Sequence, residues 1–192
     1  MFTSTQNDIS ETILKEVKQL LELPKPPIDA IYQCMQRMQR LCDIAMRDAL
    51  TGLYNRTYWE QWIKTRKADE CVIVAMIDIN KLKPINDTEG HHKGDVILAE
   101  AANKITACCR KMDILFRIGG DEFFLILPEI PQNKAEIIAM RLSITLKEAS
   151  QQMSHAAGFA FGVSMGAIAQ VEHLKEQADQ AMYQHKLEMK GA

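Results

Sequence analysis

Arg117-Ile118-Gly119-Gly120-Asp121-Glu122-Phe123 lies between two apolar runs, Ile114-Leu115-Phe116 before it and Phe124-Leu125-Ile126-Leu127 after it. The pattern predicts a strand, a sharp turn and a second strand. Gly119-Gly120 is expected to supply the positive backbone dihedrals of a tight hairpin turn and, lacking side chains, to let a bulky ligand approach the backbone. Adjacent acids at the lip of a buried hairpin are costly as charged neighbours unless a cation or a polar ligand sits between them. The stretch therefore points to a site for a divalent metal and a phosphate.

Upstream, Val72-Ile73-Val74-Ala75-Met76-Ile77 is a continuous, largely β-branched run, expected to be a buried central strand, and it ends at Asp78-Ile79-Asn80. Mg²⁺ takes a few carboxylates or carbonyls together with phosphate oxygens, so Asp78 and Asp121, on neighbouring strands, form a candidate pair. Alone, Asp78 reads equally as a helix cap or a loop acid. The segment from Asn80 to Asp95 is polar and punctuated by glycines, and is expected to be a loop running to Gly94 before a helix starts. Backbone amides in such a loop can hold phosphate oxygens, and Lys83 adds a point charge. Asn86 offers a donor and an acceptor, and Asp95 only acceptors. Those groups can read guanine, because a carboxylate accepts from its N1–H and N2–H₂. Asp95 also reads as a plain helix N-cap.

The remaining pattern is helical at both ends. Apolar positions over 8–23 and from Ile28 to about Leu50 follow a three-four spacing, with Pro24, Pro26 and Pro27 between them ending the first helix. A turn at Thr51–Arg56 leads into a helix through Tyr58, Trp59 and Trp62. Further helices are expected over 95–111, 133–150 and 171–188, with a strand at 159–168. The order α-β-α-β-β-α-β-α implies an α/β (α+β) sandwich with a mainly antiparallel central sheet flanked by helices. Residues 1–45 are expected to form an N-terminal helical arm for dimerisation or packing, and 46–192 the domain.

Composition narrows the function classes. With 192 residues and 47% hydrophobic content the chain can bury a core, and a formal net charge of −2 gives no footprint for nucleic acid. No run approaches the roughly 18–20 apolar residues of a membrane span, and no signal-peptide pattern opens the chain, so a cytoplasmic location without membrane insertion is expected. The five cysteines lack metal or disulfide spacing and read as buried or incidental thiols.

Several motifs agree with one family. The chain shows Asp48-Ala49-Leu50-Thr51-Gly52-Leu53-Tyr54-Asn55-Arg56, then Asp78-Ile79, Asn86-Asp87-Thr88-Glu89-Gly90-His91 and Gly94-Asp95. Gly119-Gly120-Asp121-Glu122-Phe123, Phe161-Gly162-Val163-Ser164-Met165-Gly166 and a run from Ala178 through Tyr183 to Lys186 follow in order. Over about residues 46–190 this resembles the GGDEF family of diguanylate cyclases. The resemblance implies a fold similar to class III nucleotidyl cyclases and polymerase palm domains. It also implies condensation of two GTP into cyclic di-GMP with release of pyrophosphate, by a homodimer using Mg²⁺ or Mn²⁺, two ions per site.

Carried over by motif, Asp78, the Ile79 carbonyl and Asp121 look like metal ligands, with Asp121 also accepting the ribose 3′-hydroxyl proton. Asn86, His91 and Asp95 look like nucleotide contacts, Gly119 and Gly120 the close-approach turn, Lys83 and Lys186 phosphate ligands, and Lys190 a further substrate-binding residue. Glu122 is a catalytic ligand or a site support. Arg110-Lys111-Met112-Asp113 resembles the family's R-x-x-D product-inhibition motif, with Arg141 on the following helix as a further arginine; the plain alternative is a helix-end ion pair. Three departures stand out: Asn80 in place of a common second acid, Lys81 where an apolar residue is common, and Lys190 where arginine is usual. The rival readings are a catalytically silent receptor for cyclic di-GMP or GTP, and a mononucleotide cyclase.

Overall fold

The structure is a computed structural model that describes residues 4–23, 27–154 and 158–191. The chain divides into two units, Met1–Arg47 and Asp48–Ala192. In the first, α1 (Ser4–Leu21) and α2 (Ile28–Ala45) pair. Glu16 accepts from Arg37 at 3.1 Å and from the Cys34 thiol. The expected proline stop at residues 24–26 lies outside the described residues. Helix α2 ends at Ala45 rather than near Leu50, because Asp48 Oδ1 captures the N–H and hydroxyl of Thr51 and sets a side-chain turn there instead.

In the second unit β1 (Tyr54–Asn55) precedes α3 (Arg56–Trp62), whose N-cap Asn55 accepts from the Tyr58 N–H. Next come β2 (Cys71–Ile79), α4 (Leu82–Glu89), α5 (His91–Ala107), β3 (Ile114–Arg117) and β4 (Glu122–Leu127). Helix α6 (Ala135–Gln151), β5 (Phe159–Ala167) and α7 (Val171–Gly191) complete the unit. The sheet order is β1-β3-β4-β2-β5, antiparallel except for the parallel β1–β3 pair, so the mainly antiparallel sandwich expected from the sequence is the fold found.

The sequence reading missed two elements. Strand β1 is only two residues long. Residues 82–89 are helical where a loop was expected. There Leu82 and Ile85 are buried one turn apart, and Pro84 sits in the first turn, where a missing N–H costs nothing. Gly90, at φ 87°, closes α4, and α5 starts at His91 rather than at Asp95.

Strand β2 is central and covered on both sides. Ile73, Ala75, Ile77 and Ile79 face the core shared with α5 and α6, while Val72, Val74 and Met76 face Trp59, Trp62, Phe116 and α7. That two-sided burial explains the unbroken apolar run. Helix α7 crosses close to β5: a Cβ on Gly162 would lie 2.1 Å from the Ala178 carbonyl oxygen, so only glycine permits the approach. His185 Nδ1, 3.2 Å from the Phe161 N–H, pins the helix further along.

Candidate active site

On β2 the residues facing α3 and α7 run Val72, Val74, Met76, and the next on that face is Asp78. Its register partner on β4 is Glu122, which shares its face with Phe124 and Ile126. The alternation that buries the core thus delivers two carboxylates at the end of the sheet. Asp121 joins them because its carbonyl accepts from the Ile79 N–H at 3.0 Å. Asp78 is 8% exposed, and Lys186 of α7 places its ammonium 2.5 Å from Asp78 Oδ1. Burial pushes the Asp78 carboxyl up, Lys186 opposes that, and Asp121 and Asp179 add to the rise. The Glu122 carboxyl is pushed up by burial and by repulsion from Asp121, Asp78 and Asp179. Asp179 belongs to the Ala178–Lys186 run but was not singled out; lying seven residues before Lys186, it is two helical turns away on the same face.

The glycine pair works differently from the expectation. Neither Gly119 nor Gly120 has positive φ; among the glycines that value falls at Gly52, Gly90 and Gly158. The Ile118 and Gly119 N–H groups both donate to the Glu122 carbonyl, giving a wider turn that does not need left-handed residues. At Gly119 a Cβ would lie 2.5 Å from Glu122 Oε2, so its missing side chain makes room for the carboxylate, while Gly120 borders open space. The turn is held by a contact that sequence reasoning did not pair. Arg117 donates to Asp48 Oδ1 at 3.0 Å and to the Gly120 carbonyl at 2.7 Å. Burial alone raises the Asp48 carboxyl, but the Thr51 and Arg117 donors outweigh it and hold it below its ordinary value. The signal was present in the sequence, since an arginine between apolar residues at a strand end needs an acid.

The polar segment is a helical hairpin rather than an open loop. The N–H groups of Ile85, Gly90, Lys93 and Gly94 are taken by the carbonyls of Lys81, Asn86, Gly90 and Gly90 again. Asn86 packs directly on Gly94, where a Cβ would lie 1.9 Å from Asn86 Oδ1, and that oxygen is buried with no donor of the protein. A buried acceptor without a donor is costly, and a guanine N–H would satisfy it. His91 and Asp95 are exposed on the first turns of α5, so Asp95 is not the N-cap, a position held by Gly90. Lys83 is exposed on α4; Lys186, rather than Lys83, is the cation brought to Asp78. The side chain of Lys190 lies outside the described residues.

Among the described residues no three His, Cys, Asp or Glu side chains form a ready-made metal cage. The clustered acids are nevertheless hard oxygen donors that repel one another, and they suit a divalent ion that draws its remaining ligands from substrate phosphates. Asn80 does not extend this set: its amide donates to Met189 Sδ at 3.5 Å and ties the end of β2 to α7.

Arg110 and Asp113 form a self-contained turn. The Arg110 N–H and guanidinium both donate to the Asp113 carboxylate, and the Asp113 N–H returns to the Arg110 carbonyl. The Asp113 side chain is 2% exposed and that of Arg110 50%. Arg141 is exposed on α6. All five cysteines are free, and burial pushes the Cys109 thiol up to about 12, which fits inert thiols. No helix among the described residues is long and apolar enough to cross a membrane.

This arrangement has counterparts in known proteins. Diguanylate cyclase DgcS of Shewanella oneidensis is 35% identical over 90% of the chain. Diguanylate cyclase DgcM of Escherichia coli is 32% identical over 77%. The chain spans 58% and 38% of the lengths of these two relatives. The GGDEF domain of DgcB from Caulobacter crescentus, solved in complex with c-di-GMP, is similar with a TM-score of 0.62. It is 25% identical to the chain, covering 74% of the chain and 90% of that domain. Residues 45–192 match the family model described as diguanylate cyclase, GGDEF domain, and the chain belongs to that family.

Proposed function

We propose that the chain condenses two molecules of GTP into cyclic di-GMP, releasing pyrophosphate. The observation that carries this reading is the acid cluster at the end of β2 and β4, where Asp121 and Asp179 press on Asp78 and Glu122 and the Lys186 ammonium contacts Asp78. In the reaction the ribose 3′-oxygen attacks an α-phosphorus, the bond to the β-phosphate oxygen breaks, and pyrophosphate departs. Asp121 accepts the 3′-hydroxyl proton. Asp78, the Ile79 carbonyl and Asp121 would hold Mg²⁺ or Mn²⁺, two ions per site. Such ions neutralise phosphate charge and lower the pKa of a bound hydroxyl. Lys186, Lys83 and Lys190 neutralise phosphate oxygens during the in-line displacement. Asn86, His91 and Asp95 select and hold guanine, and the open backbone at Gly120 admits the phosphates.

Each domain provides one nucleotide site, so a two-fold product needs two domains face to face, and dimerisation becomes part of catalysis. The apolar surface of α2 supports that reading, with Ile28 82% and Met35 63% exposed. Feedback by product at Arg110, Asp113 and Arg141 completes the proposal: Asp113 holds a half-exposed guanidinium in place, ready to offer its fork to a phosphate or a guanine edge. The whole cycle is cytoplasmic. Purified protein at micromolar concentration, incubated with GTP and Mg²⁺, should yield cyclic di-GMP by chromatography and mass. A folded protein that binds GTP but forms no product would identify a silent receptor instead, and 3′,5′-cyclic GMP would identify a mononucleotide cyclase.

A further inference from the structure

The ammonium of Lys186 pairs with Asp78, a carboxylate assigned above to the metal ion. Asp78 is almost fully buried, and Lys186 contacts its Oδ1. The lysine is delivered by a firmly held helix: α7 is seated against β5 by the missing Cβ of Gly162 and by the His185 bond to Phe161. Lys186 lies one residue beyond that bond. Its side chain is 26% exposed, so it has a path toward solvent and toward a phosphate arriving there.

We propose that Lys186 serves as the counter-ion of Asp78 in the nucleotide-free protein, so that a divalent ion enters only together with a nucleotide whose phosphates draw the lysine away. Two cations cannot share one carboxylate oxygen in a partly buried site without strong repulsion. With Asp121, Glu122 and Asp179 alongside, loss of Lys186 with nothing in its place leaves four mutually repelling acids, so the exchange is concerted. Metal and nucleotide affinities are then coupled through one side chain, and the coupling is reciprocal. The inference rests on the diguanylate cyclase reading for the identity of the nucleotide, but not for the competition at Asp78.

The test is direct Mn²⁺ binding, followed by the electron paramagnetic resonance of the free ion, with the full chain and no nucleotide. The unsubstituted protein should bind Mn²⁺ weakly, Lys186→Met should bind it at least about tenfold more tightly, and Lys186→Arg, which keeps the charge, should remain weak. Lys186→Gln serves as the neutral variant if the methionine variant does not fold by circular dichroism. A non-hydrolysable GTP analogue should tighten Mn²⁺ binding in the unsubstituted protein and do so less in the neutral variant. Equal Mn²⁺ dissociation constants for the unsubstituted protein and the neutral variant overturn the proposal. If the GTP analogue leaves Mn²⁺ binding unaltered while the neutral variant still gains affinity, the competition stands and the nucleotide assignment fails.

Discussion

Two charged clusters in the same domain are built on opposite plans. At Arg110–Asp113 each charge is matched within four residues, and the arginine's own backbone N–H joins in holding the acid. At the end of β2 and β4, Lys186 pairs with Asp78 and acts on Glu122, while burial and the neighbouring Asp121 and Asp179 push both carboxyls up. The first cluster is satisfied by the fold itself. The second is left short of positive charge by the fold, and such a deficit is a place for a cationic ligand rather than a source of stability.

Substitutions can break that contrast. Asp121→Ala removes the acid assigned to the 3′-hydroxyl and should lower turnover by at least about a thousandfold with the fold intact by circular dichroism. Unchanged initial rates would refute its role. Arg117→Met removes the donor that holds the turn from behind and leaves the half-buried Asp48 with only its Thr51 donors. It should cost about 2 kcal/mol in denaturant unfolding. A stability equal to that of the unsubstituted protein would show that Asp48 is satisfied by Thr51 alone.

Glu122→Gln should move stability the other way, raising Tm by about 2–4 °C at neutral pH while lowering turnover. The sign follows from the raised carboxyl. Protonated Glu122 costs the fold nothing at low pH, and the penalty builds as pH rises from the ordinary value near 4.5 to the raised one, so the gain from glutamine should grow from pH 4 toward neutrality. Asp48 behaves oppositely: its depressed carboxyl stabilises above the ordinary value near 3.8 and loses that contribution as pH falls further. A Glu122→Gln gain that shrinks with rising pH would contradict the electrostatic account. The smallest structural effect is expected at the balanced cluster. Arg110→Ala should cost about 1 kcal/mol, because the residue's backbone N–H still holds the buried Asp113, and relieve inhibition by added cyclic di-GMP. Equal inhibition of the variant would count against a product site there.

Much of this was legible from residues alone. The apolar run over 72–77 and the two runs flanking Gly119-Gly120 identified the central strands, because two-sided burial leaves an unambiguous signature. The pairing of Asp78 with the hairpin acids followed from strand adjacency. Helix α4 was hidden because Pro84, Gly90 and many polar residues carry loop statistics, and two buried apolar positions one turn apart give too little periodicity to outweigh them. The glycine pair was located but misexplained: the space taken by the Glu122 side chain, not backbone handedness, requires Gly119. Asp179 was out of reach because it joins the acids only after the sheet and α7 assemble, and Arg117 at a strand end signalled the need for an acid without naming Asp48.

The central claim is that the charge-deficient cluster condenses GTP. The most direct measurement quantifies pyrophosphate and cyclic di-GMP in one reaction of purified protein with GTP and Mg²⁺, beside the Asp121→Ala variant. The account predicts two pyrophosphates for each cyclic di-GMP and the loss of both in the variant. GTP bound without either product, or equal product from both proteins, would contradict it.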